Sequence, residues 1–198
     1  MLLPVMAAPP ERNPPWYTPS YCEENVWWLC REPVFQGTPA CAVFISNPGR
    51  VCPTWHQRSA PDPALPVPWD YHVVLAAEAT GGAWGVWDLD TTLPWPCPLA
   101  AYLAGSFPGG VRLPEPLRPW FRVVERSVFV AAFASDRSHM VRPDGTWVAP
   151  PPAWAPILPP GVAPCLDRLV DVTRPFLGRV GRLGDVERML GEETRGVG

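Results

Sequence analysis

The sequence has no lysine: all 16 of its basic residues are arginine. That excludes a Schiff-base lysine and the lysine of a phosphate-binding P-loop. Charge of either sign is scarce, 18% of residues against 47% apolar, which excludes a disordered polyelectrolyte. A formal net charge of −3 offers no footprint for nucleic acid. No apolar run reaches the roughly 18 residues of a membrane span. The start, MLLPVMAAPPER, lacks a basic n-region and is interrupted by Pro4, so it does not read as a signal peptide. No two of the six cysteines (Cys22, Cys30, Cys41, Cys52, Cys97, Cys165) are spaced as C-x-x-C. Without a secretory signal they read as free thiols in a reducing compartment. The closest metal-like run, Cys41, Cys52 and His56, has irregular gaps and one histidine, so no metal or cofactor is expected.

What the chain does have is proline, 30 residues of it, and enough length for one core. A domain of 198 residues buries about 70% of its unfolded surface without staples, so residues 1–198 are expected to form a single domain. Within it, 1–15 is an extended lead-in and 149–164, with seven prolines, a loop laid over the surface. Residues 20–31 read as a helix, with Cys22, Val26, Leu29 and Cys30 on one face. CAVFIS (41–46) is a β-rich run ending at Asn47-Pro48-Gly49. Residues 69–79 and 83–90 read as strands of a hairpin around Gly81-Gly82. Residues 121–135 begin as a strand and finish as a helical turn, and the tail from about 165 to 190 has helical spacing. A helix followed by antiparallel sheet gives an α+β domain.

Chemistry concentrates around Cys22. Ser20-Tyr21-Cys22-Glu23 matches a capping box with Ser20 as N-cap, which puts Cys22 in the first helical turn. Unpaired N–H groups and the positive end of the helix dipole there favour a thiolate and can stabilise an oxyanion. Glu23 and Glu24 oppose the thiolate by like charge, so a histidine partner is needed. His72 is the candidate base, with His139 in reserve; His56 lies in a proline-rich loop. The acceptor that orients the imidazole is Asp88 or Asp90. A two-residue turn at Gly81-Gly82 would set Asp88 opposite Leu75, on the face away from His72. An odd loop centred on Gly81 sets Asp88 opposite Val74, one diagonal step from His72, and Asp90 directly opposite His72. An odd loop or bulge is therefore expected, and the residues leave both aspartates open.

The strings YCEENVWWLC (21–30), AVFISN (42–47), WDYHVVL (69–75), DLDT (88–91) and FASDRSHM (133–140) resemble the protein N-terminal glutamine amidohydrolase family, also called the WDYHV-motif family. The resemblance is collinear from about residue 16 to 155 and loosens in the C-terminal third. It implies a papain-like or transglutaminase-like cysteine hydrolase core and a triad of Cys22, His72 and Asp88. It implies conversion of N-terminal glutamine to glutamate through a thioester, with release of ammonia and no cofactor. It also implies a cytoplasmic monomer (nuclear as well in a eukaryote) acting on proteins or peptides with a free N-terminal glutamine, at the entrance of an N-degron pathway.

Selectivity for a terminus requires acceptors for the α-ammonium. Glu24, Asp70, Asp90 and Asp136 are the acidic candidates, and Trp69 and Tyr71 are candidate pocket walls. Each has a plainer reading: Glu24 a solvated helix face, Asp136 a turn former, Asp70 a strand-edge charge, the aromatics core. The competing activities are an internal-glutamine deamidase, a transglutaminase-like cross-linker or a peptidase. A non-catalytic N-degron binding module and a structural protein with buried thiols are the non-enzymatic alternatives.

Overall fold

The computed structural model describes residues 10–79 and 81–195. In chain order its elements are α1 (Cys22–Leu29), β1 (Ala40–Ser46), β2 (Cys52–Thr54), β3 (Val67–Trp69), β4 (His72–Glu78), β5 (Trp84–Trp87) and β6 (Cys97–Pro98). There follow α2 (Leu99–Ser106), β7 (Trp120–Glu125), α3 (Arg126–Ala132), α4 (Leu166–Val170), β8 (Arg179–Arg182) and α5 (Val186–Arg195). Six strands form one antiparallel sheet in the order β6-β5-β4-β1-β7-β8, and β2 and β3 pair as a separate ribbon. The chain is α+β, as the sequence suggests.

Alternation along the central strands makes two cores. Ala42 and Phe44 of β1, Val73, Leu75 and Ala77 of β4 and Val124 of β7 face α1, α3 and α4. Val43 and Ile45, Val74 and Ala76, and Phe121 and Val123 face α2 and α5 on the other side. Because β1 and β4 are covered on both faces, they read as continuous apolar runs rather than alternating ones. Removing a fully buried side chain such as Leu29 costs about 2–5 kcal/mol.

Several sequence expectations need correction. The capping box is absent: Ser20 has φ +69°, Tyr21 occupies the N-cap position, and no side chain caps the helix. Asn25 fastens the entry instead, with its Oδ1 accepting from Thr18 N–H (2.9 Å) and its Nδ2 donating to Thr18 O (2.7 Å). Glu23 is freed from capping and turns inward. The run 69–79 is two strands, because Trp69 pairs with Cys52 in the ribbon and Asp70 Oδ1 takes the Tyr71 N–H, so the main strand restarts at His72. The run 83–90 ends as a strand at Trp87, and Asp88–Asp90 form a turn. The helical reading of 165–190 missed β8, an edge strand between α4 and α5. Gly178 leads into β8 at φ +73°, where a Cβ would sit 2.0 Å from the Val123 carbonyl oxygen.

The proline-rich segment 149–164 contains no helix or strand and is anchored to the core through Ile157. Arg122, fully buried on β7, holds the chain between α4 and β8. It donates to the carbonyl oxygens of Leu169 (2.8 Å), Asp171 (2.6 Å), Arg174 (2.9 Å) and Leu177 (2.9 Å). The extended lead-in expected over residues 1–15 falls, for 1–9, outside the described residues. No helix among the described residues is long and apolar enough to cross a membrane.

Candidate active site

The hairpin between β4 and β5 sets the register on which the site depends. Leu75 pairs with Trp87, Ala76 with Val86, Ala77 with Gly85 and Glu78 with Trp84, so the hairpin is centred on Gly81. The Ala79 N–H closes it on the Ala83 carbonyl (2.7 Å), and Gly81 and Gly82 take φ of +90° and +83°. Glycine bears such angles without strain. The odd loop required by the parity argument is present, and it puts Asp88 in line with Val74, on the His72 side of the sheet.

There the Asp88 carboxylate meets His72, Oδ1 to Nε2 at 2.9 Å, with both side chains buried. Asp88 Oδ1 also accepts from the Asp90 N–H (2.9 Å), and Oδ2 from the Tyr102 hydroxyl (2.9 Å) and Gln57 Nε2 (3.4 Å). Burial opposes charge on Asp88, but His72, the Asp90 N–H and Tyr102 together hold its pKa below the ordinary value. Burial also opposes charge on His72, and there the Asp88 carboxylate overcomes it and raises the pKa. An ionised carboxylate only accepts, so Nε2 carries a proton, and in the neutral imidazole Nδ1 presents the lone pair. His72 Nδ1 is buried and has no partner. Trp69 stacks on the His72 ring (centroids 5.6 Å, planes at 14°) and is itself held by its Nε1–H to Gln57 Oε1 (3.1 Å).

Cys22 approaches from the opposite layer. The first intrahelical bond runs from Asn25 N–H to Tyr21 O (2.9 Å), so the N–H groups of Cys22, Glu23 and Glu24 have no helical acceptor. Cys22 and His72 line one cleft of about 420 Å³, together with Trp69, Asp70, Tyr71, Asp90, His139 and Arg50. Burial first, then the charges of Glu23 and Asp90, push the Cys22 thiol well above its ordinary pKa, while the Val73 N–H works the other way. Cys22 is therefore held as a thiol at rest.

The proposed substrate contacts divide. Trp69, Asp70, Tyr71 and Asp90 line the cleft. Asp90 is buried, accepts from the Tyr17 hydroxyl and has its pKa raised by burial. Asp136 lies outside the cleft and accepts from the Ser138 N–H. Glu24 is neither solvated nor facing the cleft: it is fully buried and forked by Arg137, with Nε–Oε1 and Nη2–Oε2 both 2.7 Å. Trp154 Nε1 adds a third donor at 2.8 Å, so both oxygens are already engaged within the protein. Arg137 also donates to the carbonyl of Trp154 (2.9 Å), tying the proline-rich segment to α1. His139 does not approach Asp88; its Nε2 lies 3.2 Å from the Tyr71 hydroxyl and 3.6 Å from Glu23 Oε1.

Sequence reading missed Gln57 and Tyr102, which hold Asp88, and the inward turn of Glu23. No motif marks the first two, whereas Glu23 was hidden by its fit to a capping box. His72, Asp88 and Asp90 are close enough to share a cation. The His72–Asp88 hydrogen bond of 2.9 Å and three further donors already occupy the Asp88 carboxylate. All six cysteines are free and buried, and Cys41 and Cys52 pack in an apolar core.

A cysteine at an open helix start, beside an imidazole fixed by a carboxylate, can carry thiol acyl transfer on an amide. Comparison with known proteins narrows that class. Residues 17–191 match the family model of N-terminal glutamine amidase, and the chain belongs to that family. The match runs well past residue 155, into the part where the motif resemblance loosens. Protein N-terminal glutamine amidohydrolase of Drosophila pseudoobscura pseudoobscura is 42% identical over 147 residues, 72% of this chain and 71% of its own. The protein of the same name from Bos taurus is 40% identical over 151 residues (74% and 72%), and that from Drosophila erecta 41% over 155 (76% and 75%).

Proposed function

We propose that this protein hydrolyses the side-chain amide of an N-terminal glutamine, giving glutamate still attached to its peptide, and ammonia. The observation that carries the reading is the state of His72: Nε2 bound to Asp88 and Nδ1 buried, unpartnered and in the same cleft as Cys22. Family membership supplies the substrate.

In this mechanism His72 Nδ1 takes the Cys22 proton as sulfur attacks the amide carbon, and Asp88 stabilises the imidazolium. The tetrahedral oxyanion faces the free N–H groups of the α1 start, Cys22 first; one such donor is typically worth about 3–4 kcal/mol. The imidazolium protonates the departing amine and a γ-glutamyl thioester remains. His72 then draws a proton from water, hydroxide adds to the thioester carbon, and the thiol leaves reprotonated. Trp69, stacked on His72, keeps the ring oriented and shielded. The order Cys, His, Asp, with the nucleophile at a helix start, His72 on the sheet and Asp88 in the turn just past β5, supports a papain-like or transglutaminase-like core. The same reading makes the protein a monomer in the cytoplasm that feeds an N-degron pathway.

The test is ammonia release from glutamine-initiated peptides with free and acetylated amines, with Cys22→Ala as control. Release from the free-amine peptide alone, abolished in the variant, is expected. Equal release from both peptides would refute the terminal specificity.

A further inference from the structure

Beside Cys22 lies a buried carboxyl group with a vacant position. Glu23 is 0% exposed, although charged side chains are seldom buried without a partner of opposite sign. Its Oε2 accepts from the Tyr71 hydroxyl (2.9 Å) and lies 3.7 Å from Cys22 Sγ. Its Oε1 is buried and has no hydrogen-bond partner. The groups that face it are its own main-chain N–H, Cys22 and Glu24 from its own helix, Tyr71 from just before β4 and His139 from the loop after α3. None is a fixed cation, since Arg137 is spent on Glu24. His139, whose side chain is 22% exposed and lines the cleft, stands 3.6 Å from Oε1, too far for a hydrogen bond.

We propose that Glu23 receives the α-ammonium of the substrate, and that this pairing releases Cys22 to become a thiolate. The inference rests on Cys22 as nucleophile toward an N-terminal glutamine. In that residue four bonds separate the amide carbon from the α-nitrogen, a reach of about 5 Å. An amide carbon seated on Sγ therefore brings the ammonium to the carboxylate that touches Sγ, once the His139 ring swings aside. Asparagine is one bond shorter and cannot span both points. The two halves are linked because the Glu23 charge faces the sulfur: left bare it disfavours a second anion, and neutralised it does not. Burial raises the Glu23 pKa to about 7, consistent with a carboxylate awaiting a cation. Asp70 is exposed and Asp90 is engaged by Tyr17, so neither joins contact with Sγ to an unpaired buried oxygen.

Glu23→Gln keeps the shape and removes the charge. It is assayed on glutamine peptides with a free α-amine and on the matching peptides whose α-amine is replaced by hydrogen. The expected result is a fall of roughly 100-fold or more in kcat/KM for the free-amine peptide and a rise for the desamino peptide, whose thiolate no longer faces the Glu23 charge, so that the preference collapses. Iodoacetamide should alkylate Cys22 of the unliganded variant faster than that of the wild type at pH 7. Glu23→Asp, which keeps the charge on a shorter arm, should retain the preference at lower turnover. Undiminished preference for the free amine in Glu23→Gln, or unchanged alkylation, overturns the inference while the deamidase reading stands. A wild-type protein inactive on every free-amine glutamine peptide would bring down that reading, and this inference with it.

Discussion

Asp88→Asn tests the buried pair on which the proposed chemistry depends. The variant keeps the side-chain shape: Asn Oδ1 still accepts from His72 Nε2 and the Asp90 N–H, and its amide can donate to the Tyr102 hydroxyl. Only the weak Gln57 contact, 3.4 Å in the wild type, becomes donor against donor. The fold should lose about 1–2 kcal/mol and unfold cooperatively in urea. The electrostatic loss is larger. At the 2.9 Å separation of His72 and Asp88, an effective dielectric of about 20 gives an attraction of about 6 kcal/mol for the imidazolium. A retained neutral hydrogen bond returns about 1 kcal/mol. A net 4–5 kcal/mol is roughly 10³-fold in kcat. Because Asp88 also raises the His72 pKa, the variant's basic group should titrate at lower pH in the kcat/KM profile. Ammonia release measured across pH, with urea unfolding alongside, checks both. Activity within about tenfold of wild type in a folded Asp88→Asn protein would refute the assignment of Asp88 as the orienting carboxylate.

Three further outcomes follow from the buried charges. Burial raises the Glu23 pKa from 4.5 to about 7, so its protonated form is favoured by folding. That contribution is complete below about pH 4.5 and lost as pH rises through about 7, roughly 3 kcal/mol in all. Relative to Glu23→Gln, wild-type unfolding free energy should therefore decline between pH 5 and pH 8; parallel profiles would contradict it. Arg137→Ala leaves Glu24 charged and buried and should cost about 3–5 kcal/mol in urea unfolding, with Glu24→Gln in the same chain recovering part of it. Arg122→Met strands four carbonyl oxygens and should cost at least about 3 kcal/mol, with new proteolytic cleavage between Leu169 and Leu177; a variant as resistant as wild type would show that the clamp is dispensable.

The parts of the site legible in the sequence are those fixed by short-range periodicity. The two-residue period of a strand was enough to require an odd loop at Gly81, and the structure centres the hairpin there. Helical spacing put Cys22 on one face with Val26, Leu29 and Cys30; its place in the first turn rested on a capping pattern, and α1 does begin at Cys22 although the box is not formed. What failed was local chemistry overruled by distant partners. Ser20 and Glu23 satisfy a capping pattern, yet Tyr71, 48 residues on, offers Glu23 a hydroxyl and draws it inward. Glu24 looks like an exposed helix charge until Arg137, 113 residues away, forks it. WDYHV looks like one strand because nothing in it announces that Trp69 belongs to a different sheet. Strand β8 is four residues with two arginines, and only its pairing with β7 makes it a strand.

The Arg122 clamp has a consequence for how this chain can vary. All four of its acceptors are main-chain carbonyls, so it specifies the path of the backbone from α4 to β8 and is blind to the side chains along it. That stretch is free to change composition so long as it passes the same four points. The fastening tolerates no such freedom at its own end. A guanidinium carries five donors in a rigid fork, while an ammonium has three on a single nitrogen. Here, at least, arginine in a chain without lysine is a geometric requirement and more than a compositional habit.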